Sequence, residues 1–218
     1  MTILVIACHP DDEVIGVGGT ILKEVAKGTD VYVQIITKAW EPKWDENTVK
    51  EKRREVEKVH SFLGIRKTFF ADFLTTKLDS LSESSLVDSI TNVMTEVQPN
   101  IVYTHNPYEI HKDHKITYSA TMAAVRPLPN SKVKKVLLYE IPFVTWKSNS
   151  VYNHPNVYEN ISKYLDKKIE AMSMYKTELR DFPHPRSREG LKIISQYRGL
   201  EVGMQAAEAF YLSKELRD

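Results

Sequence analysis

Short apolar runs alternate along this chain with longer segments whose apolar residues recur every three to four positions. The continuous runs, rich in Val and Ile, predict strands that are buried on both faces. Several of the helical segments end at Gly or Pro, which commonly terminate helices. The predicted strands cover residues 2–8, 31–37, 68–71, 101–105 and 134–139. The predicted helices cover residues 13–27, 48–63, 82–97, 113–126, 161–175 and 188–198.

This alternation predicts an α/β fold, a Rossmann-like three-layer αβα arrangement around a mostly parallel, twisted sheet. We expect a single domain over residues 1–218, in which residues 142–218 complete the fold and the substrate pocket. Within that C-terminal part, residues 142–158 and the tail after Gly199 have no clear periodicity. In a doubly wound sheet of order 3-2-1-4, the first and fourth strands are neighbours, and ligands bind beyond their C-terminal ends.

Chemically active side chains follow two of the predicted strands at the points where they end. The run His9-Pro10-Asp11-Asp12-Glu13 follows the first strand, and His111-Lys112-Asp113-His114 follows the fourth. Each cluster alone also has an ordinary explanation, since acids favour helix N-termini and a lone His-x-Asp-His is often a solvated first turn. The assumed strand order brings the two clusters together. We therefore predict one shared site, whose buried charges a divalent cation would neutralise.

The residue types in these clusters favour a hydrolytic zinc site. Such a site has three N and O ligands and keeps one position for water. The chain supplies that set in His9, Asp12 and His114. Asp11 is then free to accept a proton from the activated water.

A second histidine accompanies the predicted ligand His114. His111 lies three residues earlier, on the same face of a helical turn, and Asp113 lies between the two. We expect Asp113 to fix the tautomer and charge of His111. A protonated His111 would stabilise an oxyanion or protonate the leaving group.

Composition and charge narrow the class of protein. The chain has 218 residues, 30 Lys and Arg against 29 Asp and Glu, and a formal net charge of +1, so we expect no nucleic-acid partner. The single cysteine, Cys8, excludes an internal disulfide. We expect a cytoplasmic protein, because no signal-peptide pattern and no run of membrane-spanning length is present.

The glycines at 16, 18 and 19 lack the dinucleotide spacing and follow three acids, so they favour close helix–sheet packing.

At these motifs the sequence resembles the PIG-L/LmbE-like family of zinc-dependent N-acetylglucosamine deacetylases. The family's first hallmark, Ala-His-Pro-Asp-Asp-Glu, corresponds to residues 8–13, with Cys8 in place of Ala. The second hallmark, His-x-Asp-His, corresponds to residues 111–114. The similarity extends over nearly the whole chain, through Tyr139-Glu140 and residues 168–172, 182–187, 198–199 and 207–210.

The resemblance implies removal of an N-acetyl group from an N-acetylglucosamine-type sugar or conjugate, with release of acetate and a free amine. It also implies a role for each residue of the two hallmarks. These are His9, Asp12 and His114 as ligands of one zinc ion per subunit, Asp11 as general base, and His111 as the electrophilic or acid histidine beside Asp113. The resemblance further implies a homo-oligomer, a trimer or a hexamer.

Substrate contacts are predicted at three arginines. Arg53 or Arg54, at the start of a helix, would bind a hydroxyl, phosphate or carboxylate group, although a solvated basic helix face explains them equally well. Arg186 lies in a Pro-rich loop that would hold its fork of donors rigidly, against either the substrate or a neighbouring subunit. Two other functions remain open at this point: a metal-dependent amidase acting on a non-sugar acyl-amine, and a non-catalytic sugar- or nucleotide-binding protein.

Overall fold

One sheet runs through the molecule and is covered by helices on both faces. The computed structural model describes residues 1–127, 131–144 and 154–217. The strands are β1 (Thr2–Ala7), β2 (Asp30–Lys38), β3 (Lys67–Leu74), β4 (Ile101–His105), β5 (Lys135–Tyr139), β6 (Val157–Asn160) and β7 (Ala207–Glu215). The helices are α1 (Asp12–Ala26), α2 (Glu46–Leu63), α3 (Glu83–Val97), α4 (Lys112–Ala124), α5 (Leu165–Met174) and α6 (Arg188–Leu200).

The strand order within the described residues is β3-β2-β1-β4-β5-β7-β6. Strands β1 to β5 are parallel, whereas β7 is antiparallel to both β5 and β6. The predicted order 3-2-1-4 is confirmed, and so is the three-layer α/β fold with a mostly parallel sheet. The C-terminal ends of β1 and β4 consequently lie side by side, which is where the two polar clusters leave the sheet.

Two strands form where the sequence has no clear pattern. Strand β6 begins at the end of the segment 142–158, of which residues 145–153 are outside the described part of the chain, and β7 lies in the tail. Both are antiparallel strands at one edge of the sheet. Pairing with β5 and packing against the core decide such strands, so local periodicity is a weak guide to them.

The core is divided into two parts by the sheet. On one face, helices α1, α2, α5 and α6 cover alternate strand residues such as Val5 and Val33. On the other face, α3 and α4 cover the intervening residues, such as Leu4 and Ile6. Strands that are buried on both faces in this way must be apolar throughout, which explains the continuous runs in the sequence.

Close packing of α1 on the sheet explains its glycines. A Cβ atom added to Gly16 would lie 2.4 Å from Cδ2 of Tyr139, and one added to Gly19 would lie 2.7 Å from Ile161. The predicted role in helix–sheet packing is thereby confirmed for Gly16, whereas Gly19 packs against the residue that follows β6. The contact of Gly16 with Tyr139 sets the distance between α1, which begins at the site, and β5. None of the helices in the described ranges is long and apolar enough to cross a membrane.

Candidate active site

Both polar clusters line one pocket of about 250 Å³ at the C-terminal ends of β1 and β4. The first cluster occupies the turn between β1 and α1, and the second occupies the start of α4. The predicted site residues in the pocket wall are His9, Asp11, Asp12, His111, His114 and Arg186. The topology thus brings together side chains that are up to 177 positions apart in sequence, from His9 to Arg186.

Three atoms of the predicted metal ligands converge at the bottom of the pocket. Nδ1 of His9 lies 3.0 Å from Nε2 of His114 and 3.4 Å from Oδ2 of Asp12. The third edge of this triangle, from His114 Nε2 to Asp12 Oδ2, is 3.5 Å. Tetrahedral zinc with bonds of about 2.0–2.2 Å needs ligand atoms roughly 3.3–3.5 Å apart. The donor set fits a zinc ion in its chemistry, and two of the three edges match this spacing, while the edge between His9 and His114 is about 0.3 Å shorter.

A buried carboxylate stands behind each of the two histidines. Oε2 of Glu109 lies 2.5 Å from Nδ1 of His114, and Oδ2 of Asp113 lies 3.4 Å from Nε2 of His9. When those outer nitrogens donate to the carboxylates, His9 Nδ1 and His114 Nε2 present lone pairs to the shared centre, as metal-ligating histidines commonly do. In these tautomers three acceptors face one another, and a bound cation would neutralise them.

Glu109 is a functional residue that the sequence analysis missed. Its side chain is fully buried, and besides His114 it accepts hydrogen bonds from Nδ1 of His105 and the backbone N–H of Ile141. Burial raises the pKa of Glu109, but His105 and His114 outweigh burial and lower it, so the group is a carboxylate. The only feature of the sequence that could have pointed to Glu109 is its position two residues before His111.

His105 belongs to the layer beneath the site. Its Nε2 accepts from the backbone N–H of Cys8 at 3.0 Å and also contacts the Tyr139 hydroxyl at 2.9 Å. Although Asp12 Oδ2 lies 3.3 Å away, that nitrogen is already engaged. We infer that His105 supports the ligands, while His9 and His114 supply the nitrogen atoms that face the pocket.

Asp11 occupies the wall of the pocket next to the ligand triangle. Its carboxylate Oδ2 accepts from Nη1 of Arg186 at 3.0 Å, and the same guanidinium nitrogen contacts Glu178 at 2.6 Å. Burial raises the pKa of Asp11 well above its usual value, and Asp12 and Glu178 add to this, while Arg186 acts in the opposite direction. A carboxyl group with a raised pKa is suited to accepting a proton near neutral pH.

His111 lies over the pocket with its ring stacked on that of His114 at 4.4 Å between centroids. Burial, together with His114 and His9, lowers the pKa of His111 to about 4. The ring is therefore neutral at pH 7, in contrast to the protonated form considered from the sequence. Its Nδ1 is buried and has no hydrogen-bond partner among the described residues.

Asp113 makes its contacts away from His111. Its Oδ2 accepts the backbone N–H of Thr76 at 2.6 Å and contacts His9 as described above. The sequence suggested an orienting contact with His111 instead. Residues two positions apart in a helical turn do not face each other, and Asp113 points from the first turn of α4 to the loop after β3.

The predicted substrate arginines are placed differently from one another. Arg186 lines the pocket, whereas Arg53 pairs with Asp72 at 3.1 Å and lies over the ring of Phe70. The side chain of Arg54 is 74% exposed. Helix α2 instead sends Lys52 into the pocket, where it pairs with Glu178.

The position of Lys52 follows from the face of α2 that packs against the core. Residues 52, 55, 56 and 59 lie on one face at helical spacing, and Glu55, Val56 and Val59 are buried. Arg53 and Arg54 lie outside this face. The periodicity of the helix therefore contained the signal that separates Lys52 from its basic neighbours.

Comparisons with known proteins agree with this site. The family model for GlcNAc-PI de-N-acetylase (PIG-L) matches residues 4–125. An uncharacterized deacetylase of Escherichia coli K12 is 28% identical over 180 residues, which cover 80% of this chain and 90% of the relative. A diacetylchitobiose deacetylase of Thermococcus kodakarensis is also 28% identical, over 221 residues that cover 94% of this chain and 80% of the relative.

A solved structure shows the same fold. The N,N'-diacetylchitobiose deacetylase of Pyrococcus horikoshii superposes with a TM-score of 0.81 at 24% identity, covering 98% of this chain and 84% of that one. The matched family region spans more than half of the chain and contains both the His9–Glu13 run and the 111–114 cluster. The protein therefore belongs to the GlcNAc-PI de-N-acetylase (PIG-L) family and is an N-deacetylase.

Proposed function

We propose that this protein is a zinc-dependent hydrolase that removes the acetyl group from an N-acetylglucosamine-type sugar or sugar conjugate. The observation that carries the proposal is the triangle of His9 Nδ1, Asp12 Oδ2 and His114 Nε2, with edges of 3.0, 3.4 and 3.5 Å, beside the Asp11 carboxylate. Relatives named as diacetylchitobiose deacetylases support the choice of an acetylated amino sugar. The products would be acetate and the free amine.

His9, Asp12 and His114 would hold the metal. Zinc bound there would polarise the acetyl carbonyl and lower the pKa of water towards neutrality. The outer carboxylates, Glu109 and Asp113, keep the two imidazoles in the tautomers that point lone pairs at the ion.

Asp11 would move the proton in the reaction. Its carboxylate lines the pocket beside the ligand atoms, where it accepts a proton from the attacking water. Contact with Arg186 orients the carboxylate and lowers its pKa, against the larger effect of burial. After the tetrahedral stage, the proton on Asp11 passes to the departing amine.

His111 would act as a neutral hydrogen-bond donor. Burial and the neighbouring histidines lower the pKa of His111 to about 4, which favours the neutral ring and disfavours proton transfer from an imidazolium to the amine. One nitrogen of a neutral imidazole still carries an N–H, which stabilises a developing oxyanion. We therefore propose that Asp11, rather than His111, protonates the leaving group.

The pocket is sized for one sugar unit. Its volume of about 250 Å³ is below the roughly 300–1,000 Å³ of sites for drug-sized ligands. Trp44 supplies an aromatic wall, and Lys43, Lys52 and Arg186 supply hydrogen-bond donors to hydroxyl groups. The remainder of a conjugate would lie outside, against the loops around the rim.

Release of primary amine from a panel of N-acetylglucosamine conjugates tests the proposal. The panel includes non-sugar acyl-amines, and each substrate is tested with metal-stripped protein and after zinc is added back. We expect amine release that depends on zinc, is confined to the sugars, and is lost in Asp11→Asn while zinc content is retained. Turnover of only the non-sugar amides would replace the sugar assignment, and full activity of Asp11→Asn would refute the role of the base.

The homo-oligomer and the cytoplasmic location stay predictions. Sedimentation equilibrium of the purified protein tests the trimer or hexamer, and fractionation of the source cells tests the location.

A further inference from the structure

Asp11 has an unusual backbone conformation for a helix N-cap. Its φ and ψ are 104° and −28°, in the left-handed region that residues other than glycine rarely adopt. The N-caps of α2 and α6, Asp45 and Ser187, have the ordinary extended conformation. A residue held in a sparsely populated region persists only where its surroundings impose it, and such residues cluster at functional sites.

Glu13 is the group that holds this turn. Its Oε2 accepts the backbone N–H of Asp11 at 3.2 Å, and its Oε1 accepts the hydroxyl of Tyr175 at 2.7 Å. Nε2 of His60 lies 3.4 Å from the same Oε1. The sequence alone left a purely structural role open for Glu13, as an acid in the first turn of a helix. The structure instead turns its carboxylate back onto the residue before the helix.

Tyr175 donates a hydrogen bond to the Glu13 carboxylate, and His60, which is held by β3, lies against it. Tyr175 ends α5, His60 lies in the last turn of α2, and His60 Nδ1 is 2.6 Å from the hydroxyl of Thr68 in β3. Glu13 and Tyr175 are fully buried and His60 is 3% exposed. Burying a carboxylate is costly unless its oxygens are satisfied, so this arrangement demands an accurate fit from all three elements.

We propose that Glu13, Tyr175 and His60 form a positioning network for the general base. The network does not line the pocket, and it contacts Asp11 through the backbone N–H of that residue. Without that anchor, Asp11 would relax towards the extended conformation of an ordinary N-cap. Its carboxylate would then leave its place beside Arg186 and the ligand triangle. The inference rests on the proposed role of Asp11 as the base.

Tyr175→Phe tests the network, with Tyr103→Phe as the matched control. Tyr103 is also buried in the same part of the core, where it packs on Phe210 at 5.0 Å between ring centroids, and it makes no contact with Glu13. Both variants lose one hydroxyl from a buried tyrosine. We expect kcat to fall between about 10- and 100-fold in Tyr175→Phe, because small displacements of reacting groups have effects of that size. KM and zinc affinity should stay within about twofold of the wild-type values in both variants, and kcat should be unchanged in Tyr103→Phe.

Several outcomes would overturn the inference. Equal kcat in the two variants would show that the hydroxyl of Tyr175 does not position the base. A parallel loss of zinc affinity in Tyr175→Phe would indicate general damage to the site. If Tyr175→Phe does not fold, Glu13→Gln gives the same decision through the same measurements. Asp11→Asn distinguishes failure of the proposed base from failure of the positioning network. Full activity of Asp11→Asn would refute the role of Asp11 as base. An inactive Asp11→Asn together with a fully active Tyr175→Phe would refute the network alone.

Discussion

Removing the charge of Glu109 tests whether the buried carboxylate behind His114 strengthens zinc binding. Glu109→Gln keeps the size of the side chain but leaves one acceptor oxygen where the carboxylate has two. The carboxylate accepts from His114 Nδ1 at 2.5 Å, from His105 Nδ1 at 3.2 Å and from Ile141 N–H at 2.9 Å. The single oxygen of the Gln side chain cannot accept hydrogen bonds from both the two histidines and the Ile141 N–H. The amide N–H₂ group would therefore face N–H donors.

The size of the effect follows from the bond that is lost. A hydrogen bond to a charged group contributes about 1.5–3 kcal/mol, which corresponds to roughly 10- to 150-fold in an equilibrium constant. Outer carboxylates of metal-bound histidines typically contribute about 10- to 100-fold in metal affinity. We therefore expect the zinc Kd of Glu109→Gln to rise between about 10- and 100-fold.

Competition with a fluorescent zinc chelator measures this change. Glu24→Gln is the matched control, because Glu24 is also a buried carboxylate, yet it bonds Lys27 and Thr29 at the far end of α1. Its zinc Kd should equal that of the wild-type protein. A Kd within threefold of wild type for Glu109→Gln would refute the reasoning, and an equal rise in both variants would attribute the effect to lost stability.

Three further predictions concern the ligands, the base and the packing of α1. His114→Ala removes one corner of the ligand triangle, so zinc content by elemental analysis should fall far below one ion per chain; full occupancy would refute the ligand assignment. Arg186→Gln removes the cation that lowers the pKa of Asp11, so that pKa should rise further, and the acid limb of the kcat/KM profile should move to higher pH; a shift to lower pH would contradict the contact. Gly16→Ala places a methyl group 2.4 Å from Tyr139, so the free energy of unfolding in urea titrations should fall by about 1–3 kcal/mol. Gly18→Ala, whose nearest contact is at 3.3 Å, should lower the free energy of unfolding by less.

The fold was predictable wherever local pattern and tertiary role coincide. The central parallel strands are mostly apolar because both their faces are covered, so β1 and β4 stand out in the sequence. The edge strand β6 and its neighbour β7 depend on the strands they pair with and have no comparable signal in the sequence. The order of the central strands followed from the rules of doubly wound sheets, and that order placed the two clusters in one site.

Side-chain placement within the site was predictable only in part. The chemistry of His9, Asp12 and His114 follows from residue type and from the ends of two strands, which the sequence displays. Which basic residue of α2 enters the pocket depends on how that helix packs, and Lys52 rather than Arg53 lies on the packed face.

The sequence by itself determined the strand pattern, the two clusters and the residue types of the proposed metal ligands, because these depend on residue type and local spacing. Only the tertiary structure decided what surrounds them. Glu109 beside His114, and Tyr175 with Glu13 behind Asp11, are contacts between residues up to 162 positions apart. Such contacts arise from the packing of whole helices and strands. They determine the tautomer of His114, the charge of the buried carboxylates and the backbone conformation of Asp11. The local sequence pattern does not specify which distant side chains meet, so these supporting residues could be identified only in the folded chain.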